Sequence, residues 1–184
     1  MKPGVRALGV AESARGEEST LAGAVVRTDR VVDGFAFSRI AVGGLDATGE
    51  VCALVDRLDR EDVPYILLSG VAPAWFNLYD LHEIHARTGM MVCSVSFEGS
   101  DGLEAGLREA FSGEEYERRL TIYERQPPRN ELWVNDDRVF VRSVGLDDEG
   151  AAALVRAFTP EGGRPEPIRV ARLAARAVDE WREE

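Results

Sequence analysis

The run Pro64-Tyr65-Ile66-Leu67-Leu68-Ser69-Gly70 decides the fold class of this chain. Its centre, Tyr65 to Leu68, is continuously apolar and too short for a helix, which predicts a central parallel strand that is covered on both faces. The glycine that follows marks the start of a loop. A parallel strand of this kind needs helical crossover connections to its neighbours, so helices are expected on both sides of it in the sequence.

Both flanking segments have helical spacing. Apolar residues recur at helical intervals upstream, over residues 47–58, after Asp46, which we interpret as an N-cap. Downstream, Asn77 to Arg87 is predicted as a second helix, and Met91 to Val95 as a second strand. The alternation of helices and strands predicts a parallel sheet with crossover helices.

The first 42 residues predict three consecutive strands in meander order. These are Val5 to Val10, Leu21 to Arg27 and Val31 to Val42, with a bulge at Gly34. A three-strand meander followed by parallel strands with flanking helices is the order of elements in α/β proteins with a mixed, RNase H-like sheet. The rest of the chain is predicted as a charged helical region, a hairpin and two final helices, over residues 101–125, 133–141, 147–158 and 165–184.

The amino-acid composition excludes some classes of function for this protein. The 184 residues suffice for one domain, and 33 acidic against 22 basic residues give a net charge of −11. Lys2 is the only lysine, which excludes a phosphate-binding P-loop lysine and a Schiff-base lysine in the interior. The acidic surplus argues against indiscriminate binding to nucleic acid but leaves room for a local basic groove. It is also typical of proteins adapted to high salt.

Cysteine usage and hydropathy point to the cytoplasm. Cys52 and Cys93 lie far apart and outside any CxxC motif, so we expect buried core thiols rather than a disulfide or a zinc site. The chain has no apolar run of the length of a signal peptide or a membrane helix, so no membrane partner is expected.

Four segments carry a family resemblance, in order along the chain. They are Gly4 to Val10, Gly44-Leu45-Asp46-Ala47-Thr48, Leu68-Ser69-Gly70-Val71 with Phe76-Asn77-Leu78-Tyr79-Asp80, and Arg164 to Ala171. They resemble the N-terminal strand, the G-x-D-A-T helix start, the L-D-G-[IV]…F-N-x-x-D segment and the P-E-P-L-R-V-A signature of the archaeal endonuclease dU family. The resemblance implies one endonuclease V-like domain over residues 1–184.

Proteins of this family are similar to endonuclease V, which has an RNase H-like fold and hydrolyses phosphodiesters with bound divalent metal. The resemblance therefore implies action on a modified or deaminated base in DNA or RNA. It also implies Mg²⁺ or Mn²⁺, held by carboxylates at the ends of adjacent strands.

This sequence departs from the family pattern at three positions. The stretch that usually reads G-I-D-D-G places Ala11 at the first acid, with Glu12 beside it. The L-D-G aspartate is Ser69, and Arg172 stands where a histidine often follows R-V-A. Strand alternation would point Glu12 to the opposite face, and neutral Ser69 is a weak ligand for a hard cation.

We therefore expect impaired cleavage, with Glu12, Ser69 and Asp80 as the candidate catalytic residues. Two alternatives stay open: a catalytically degenerate module that binds nucleic acid or a protein partner without cutting, and a binder of a small nucleotide or metabolite. The resemblance also leaves open that no metal is bound. The weak candidates for metal ligands are Glu12, Asp46 and Glu98.

The densest basic cluster of the chain lies in and before the last helix. Arg169, Arg172 and Arg176 are spaced to share one helix face, with Arg164 and Arg156 nearby in sequence. One interpretation is a phosphate-facing stripe. The other is a solvated face paired with neighbouring carboxylates, Glu161, Glu166 and Asp179.

Two further motifs each have two interpretations. Trp75 and Phe76 follow the central strand, where they could stack on a base or fold beneath the loop as core. Asn77 and Asp80 have the spacing of residues that cap a helix. The other interpretation is that Asp80 belongs to the functional site, near the end of the strand that carries Ser69. The pair in His82-Glu83-Ile84-His85 lacks the spacing of a zinc site, which favours surface histidines.

Overall fold

The computed structural model describes residues 1–182 and shows a seven-stranded mixed sheet. The strands are β1 (Arg6–Arg15), β2 (Glu18–Arg27), β3 (Val32–Ala41), β4 (Tyr65–Ser69), β5 (Met91–Ser96), β6 (Asn130–Val134) and β7 (Asp137–Val144). The helices are α1 (Ala47–Leu58), α2 (Pro73–Phe76), α3 (Leu81–Thr88), α4 (Glu104–Ala110), α5 (Gly113–Glu124), α6 (Asp148–Ala157) and α7 (Glu166–Arg182). The sheet order is β3-β2-β1-β4-β5-β7-β6.

The first three strands form the predicted antiparallel meander. Between β2 and β3 the pairing shifts from Val25 opposite Gly34 to Val26 opposite Val32. Asp33 is the extra residue of a β-bulge at this shift, so the predicted bulge is confirmed.

The second half of the sheet is parallel at its centre and antiparallel at its edge. β4 pairs with β1 and with β5 in parallel; α1 leads from β3 into β4, and α3 lies in the connection from β4 to β5. β7 pairs antiparallel with β5 and with β6, so the predicted hairpin forms the far edge. The last predicted helix is α7 as far as Arg182, and residues 183–184 lie outside the described residues.

The helix predicted over Asn77 to Arg87 is wrong at its start, because α3 begins at Leu81. The chain turns first through α2, and Asp80 has extended backbone angles, with φ −93° and ψ 101°. Leu78 has the helical spacing of a core position, but it packs in a separate small cluster with residues of α4 and α5. Its burial there explains why periodicity alone placed the helix too early.

Apolar layers cover both faces of the sheet, one beneath α1 and α3 and the other beneath α6 and α7. α7 crosses β1 closely at Gly9, where a Cβ atom would lie 2.0 Å from the carbonyl carbon of Pro167. Near its other end, the Asp179 carboxylate of α7 accepts a hydrogen bond from the Thr20 hydroxyl of β2. α7 therefore runs along β1 towards the carboxyl end of that strand.

Both cysteines are buried and free, as predicted. Burial raises the pKa of Cys52, and raises that of Cys93 to about 12. Within residues 1–182 no helix combines the length and the apolar character that crossing a membrane requires.

Candidate functional site

The candidate site lies at the carboxyl ends of β1, β4 and β5, on the face that α7 covers. Ala11 of β1 and Leu67 of β4 belong to the apolar layer beneath α7. Because side chains alternate along a strand, Ser69 faces the same side as Leu67. The two positions where the family resemblance implies carboxylates thus share one face and one edge of the sheet. They hold a methyl group that is 2% exposed and a neutral hydroxyl.

Glu12 faces the opposite side of the sheet. Its carboxylate accepts a hydrogen bond from the Ser19 hydroxyl. It also lies near Tyr79 in the layer beneath α1 and α3, where burial and then the Glu12 charge raise the pKa of the tyrosine. The sheet therefore separates Glu12 from Ala11 and Ser69.

Arg164, Arg172 and Arg176 lie close enough for the charges of the latter two to act on Arg164, and we call these three residues the arginine cluster. The guanidinium carbon of Arg164 lies 4.5 Å from the ring centre of Phe97, which packs in the layer beneath α7 just after β5. Burial, and then the charges of Arg172 and Arg176, lower the pKa of Arg164. The cluster therefore concentrates positive charge at the site.

No carboxylate forms an ion pair with the arginine cluster within residues 1–182, although Asp137 lines a pocket with Arg164. Its members form neither an ion pair nor a hydrogen bond there, and the buried Nε of Arg164 has no partner. Like charges held together without a counter-charge raise the energy of the folded state, and a bound anion would lower it. The arginine cluster is therefore chemically suited to binding an anion.

Arg169 does not join the arginine cluster. Its Nε and Nη2 atoms donate to the Glu166 carboxylate at 2.7 and 2.6 Å. This pairing raises the pKa of Arg169 and lowers that of Glu166. Arg156 is engaged elsewhere, since it donates to the carbonyl oxygen of Trp133 at 3.2 Å. Of the three arginines in the predicted stripe, Arg169 is therefore paired, whereas Arg172 and Arg176 are not. These two unpaired arginines form the arginine cluster together with Arg164.

Asp46 occupies the N-cap position of α1, but the prediction that its side chain caps the helix is wrong. The carboxylate accepts hydrogen bonds from the Ala41 N–H and from the Asn77 amide. Asn77 supplies the cap instead, because its Oδ1 atom accepts from the Ala47 N–H at 2.9 Å. Asp46 is therefore held in a turn network rather than directed at a metal.

Asp80 is a helix cap, as its spacing indicated. Its Oδ1 atom accepts from the Glu83 N–H at 3.0 Å, and its Oδ2 atom lies 3.4 Å from Arg125. The carboxylate is buried and already has both a hydrogen-bond donor and a cation. These contacts account for Asp80 without a catalytic role.

Trp75 and Phe76 have different surroundings. The chain has positive φ angles of 43°, 54° and 62° at Ala74, Trp75 and Phe76. Phe76 packs in a small cluster with residues of α4 and α5. Trp75 is 57% exposed, with part of its ring against Gly43. The strained turn therefore presents one aromatic ring to solvent just beyond β4.

The donor set at this edge does not fit a divalent cation. Mg²⁺ and Mn²⁺ prefer carboxylate oxygens, whereas this face offers the Ser69 hydroxyl and the arginine cluster. The three candidate ligands are dispersed: Glu12 is on the other face, Asp46 binds Asn77, and Glu98 lines a pocket with two arginines. Among residues 1–182 no three His, Cys, Asp or Glu side chains are placed to hold a metal ion.

The two histidines of α3 also lie outside any such group. His82 is exposed, and the Nδ1 atom of His85 lies 2.7 Å from the carbonyl oxygen of Met90. The interpretation as ordinary helix histidines agrees with these contacts.

The sheet order is that of an RNase H-like fold of the kind seen in endonuclease V. The structure is similar to that of Ciona intestinalis endonuclease V in complex with a 24mer DNA that contains an inosine followed by a ribo-adenosine. The TM-score is 0.65 at 12% identity, over 97% of this chain and 87% of that one. The chain belongs to the endonuclease dU family, whose sequence profile it matches over residues 3–179. The predicted family and fold class are thus confirmed.

Relatives of similar length support this assignment. A UPF0215 protein of Thermococcus kodakarensis is 32% identical over 187 residues, covering 97% of this chain and 94% of that protein. A crystal structure of a protein of unknown function from Archaeoglobus fulgidus gives a TM-score of 0.84 at 30% identity. That match covers 94% of this chain and 97% of the other.

Sequence reasoning missed two groups of contacts. The stacking of Arg164 on Phe97 joins a loop to the end of a strand, and no spacing rule connects them. Arg129 and Arg142, which precede β6 and lie within β7, meet in a pocket on the other face of the sheet. One lies just before the first strand of the hairpin and the other in its second strand, and no spacing in the sequence singles them out.

Proposed function

We propose that this protein binds nucleic acid at the carboxyl edge of the sheet, through the arginine cluster, without the metal-dependent cleavage that the family resemblance implies. The observation that carries the proposal is the un-neutralised arginine cluster on the face where two carboxylates are expected. The charges of Arg172 and Arg176 repel that of Arg164, and an anion bound among the three would relieve this repulsion. We also propose that the protein is cytoplasmic.

The chemistry of guanidinium groups supports a phosphate ligand. Arginine presents planar donors that match phosphate oxygens, and each neutralised phosphate releases counterions that favour binding. Contacts of this kind position a strand without specifying its sequence. Arg172 is the member of the arginine cluster that we test first. It lies between Arg164 and Arg176 in the chain, and it stands at a position that distinguishes this sequence from the family pattern.

Trp75 supplies a second contact suited to nucleic acid. Its exposed ring follows the carboxyl end of β4, the same edge that carries Ser69. Stacking of a base on an aromatic ring stabilises single-stranded complexes by about 1–3 kcal/mol per base. The combination of a phosphate site and a stacking ring favours a single strand or an unpaired base.

The fold comparison adds support of a different kind. The Ciona endonuclease V structure holds DNA with an inosine. We extend that ligand class to this protein as DNA or RNA, with a modified or deaminated base as the first substrate to test. Ala11 and Ser69 are the reason that we propose binding rather than cleavage, because neither residue supplies a carboxylate.

The test uses labelled oligonucleotides, single-stranded and duplex, with and without uracil or hypoxanthine. We expect salt-sensitive binding in EDTA and no nicking in Mg²⁺ or Mn²⁺. Arg172→Gln should weaken binding about tenfold, because a charge-assisted contact is worth about 1.5–3 kcal/mol. Arg87→Gln is the matched control, since Arg87 is exposed on α3 and is paired with Glu83.

Metal-dependent nicking that is lost in Glu12→Gln would overturn the proposal and show that the protein is a metal-dependent endonuclease. Failure to bind any strand at low or high salt would leave the other two alternatives, a protein-binding module or a small-molecule site. These outcomes are separable because binding and nicking are measured separately on the same oligonucleotides with the same 184-residue protein.

A further inference from the structure

A pocket opens at the same edge of the sheet, on the face opposite the arginine cluster. Its volume is about 360 Å³, and it lies between the loop after β4 and the strands β5 and β7. Cys93 and Val95 of β5 belong to the layer beneath α7. Ser94 and Ser96, which alternate with them, therefore face the pocket. A volume of this size is suited to one small ligand.

Two arginines line the pocket, and neither is neutralised within residues 1–182. The Arg129 guanidinium donates to the Ser96 hydroxyl at 3.3 Å and to the carbonyl oxygens of Glu98 and Ser100. All of these acceptors are neutral, and the Arg129 guanidinium carbon stacks 3.9 Å above the ring centre of Phe140. Arg129 is therefore fixed in place while it keeps its full charge.

Arg142 is the freer of the two. Its Nη1 atom donates to the carbonyl oxygen of Pro127, and its Nη2 atom lies 3.4 Å from the Tyr123 hydroxyl. A guanidinium has five N–H donors, so several donors of Arg142 are left for a ligand. Burial, and then the charge of Arg142, lower the pKa of Arg129, which indicates that the two cations repel each other.

The rest of the wall limits the kind of anion. Val71, Leu103 and Phe140 make one side of the pocket apolar, whereas Ser94 and Ser96 add hydroxyls beside the arginines. The Glu98 side chain is exposed and also lines the pocket, so a ligand has to keep its negative charge at the arginines. This pattern suits a ligand with an anionic head and a flat, weakly polar body.

We propose that this pocket binds a phosphate monoester of the size of one nucleoside monophosphate, with its phosphate held by Arg142 and Arg129. The site is distinct from the arginine cluster and does not depend on the function proposed above. The same chemistry is presented by a free mononucleotide and by the phosphorylated end of a strand.

Calorimetric titration of the 184-residue protein with adenosine 5′-monophosphate tests the proposal, with adenosine as the uncharged comparison. We expect the nucleotide to bind and adenosine to bind at least tenfold more weakly, since it lacks the charge-assisted contacts. Arg142→Gln should lower the affinity for the nucleotide about tenfold or more. Arg142→Lys keeps a charge without the planar fork and should give an intermediate loss.

Arg87→Gln, on the outside of α3, controls for the change in net charge. Near-ultraviolet circular dichroism of each variant confirms that it is folded. Equal affinity of nucleotide and nucleoside, or an Arg142→Gln variant that is folded and binds the nucleotide as well as the unaltered protein does, would overturn the proposal.

A second arm identifies the source of the phosphate. If the pocket receives a strand end, a 5′-phosphorylated oligonucleotide binds more tightly than its 5′-hydroxyl counterpart, and Arg142→Gln abolishes the difference. If both oligonucleotides bind equally while the mononucleotide binds, the free nucleotide is the ligand. Arg172→Gln, assayed with the 5′-hydroxyl strand, reports on the arginine cluster, so failure of either proposal is seen separately.

Discussion

Asn77 illustrates how a residue stabilises structure far from it in the chain. Its side chain accepts the N–H of Ala47, thirty positions earlier, and donates to Asp46 and to the carbonyl oxygen of Ala41. The amide is completely buried. Asn77 therefore joins the start of α1, the end of β3 and the loop after β4 at the carboxyl edge.

Asn77→Ala should lower the free energy of unfolding by about 3 kcal/mol. The loss of a cap costs about 1 kcal/mol, and a buried N–H without a partner adds about 1–3 kcal/mol. Asp147→Ala is the matched control, because Asp147 caps α6 locally at the surface and should cost about 1 kcal/mol. Urea unfolding measures both, and equal losses would show that the buried network contributes nothing beyond capping.

The cysteines provide a pH prediction at the same scale. Because burial raises the pKa of both thiols, they stay protonated at pH 8, and the thiolate is the reactive form. We expect Ellman's reagent to find no reactive thiol in the folded protein at pH 8 and both thiols in denaturant. Rapid labelling of Cys93 without denaturant would contradict the burial on which this prediction rests.

At the residue scale, the sequence predicted the two replaced acids but not the neighbours that surround them. Ala11 and Ser69 are visible by comparison with the family pattern, and strand alternation correctly placed Glu12 on the other face. The Asn77 cap could not be predicted in the same way. Its partners come from a turn and a helix that only the folded chain brings together.

At the scale of elements, the close contact of α7 with β1 positions the arginine cluster. α7 begins against Gly9 and continues past Ala11, so Arg172 and Arg176 are carried to the carboxyl edge of the sheet. The contact depends on the absence of a side chain at Gly9. A larger residue there would shift the whole helix.

Gly9→Ala should destabilise the protein by about 3 kcal/mol, since a Cβ atom 2.0 Å from the Pro167 backbone forces the helix away from the strand. Gly34→Ala is the control: it is also in a strand, nothing lies within 4 Å of its added methyl group, and it should leave stability unchanged or raise it by up to about 1 kcal/mol. Thermal unfolding of both variants tests the contact. Equal stability of the two would show that α7 does not pack on β1 as described.

Periodicity predicted most of the elements because apolar spacing reflects burial directly. It failed where burial occurred outside a helix, as at Leu78. It also grouped Arg169 with Arg172 and Arg176, since all three share a helix face. Glu166, one turn before Arg169, neutralises that arginine alone, and spacing does not show which carboxylate a flexible side chain selects.

On the scale of the whole molecule, the charge at the candidate site is opposite in sign to the net charge of the protein. The chain carries 33 acidic residues, yet the carboxyl edge of the sheet holds un-neutralised arginines on both faces. A high-salt environment would screen the acidic surface while leaving partly buried contacts stronger. We therefore expect anions to be attracted to this edge of the sheet.

The salt dependence of strand binding, measured in EDTA and again in Mn²⁺, tests this account most directly. We predict binding in both, with a slope of log K against log salt that falls by about 0.7 in magnitude for each cluster arginine replaced by glutamine on a single strand. The slope should be unchanged in Arg87→Gln. Binding that requires Mn²⁺, or a slope that is unchanged in the Arg172→Gln/Arg176→Gln double variant, would contradict the claim that arginines have taken the place of the metal.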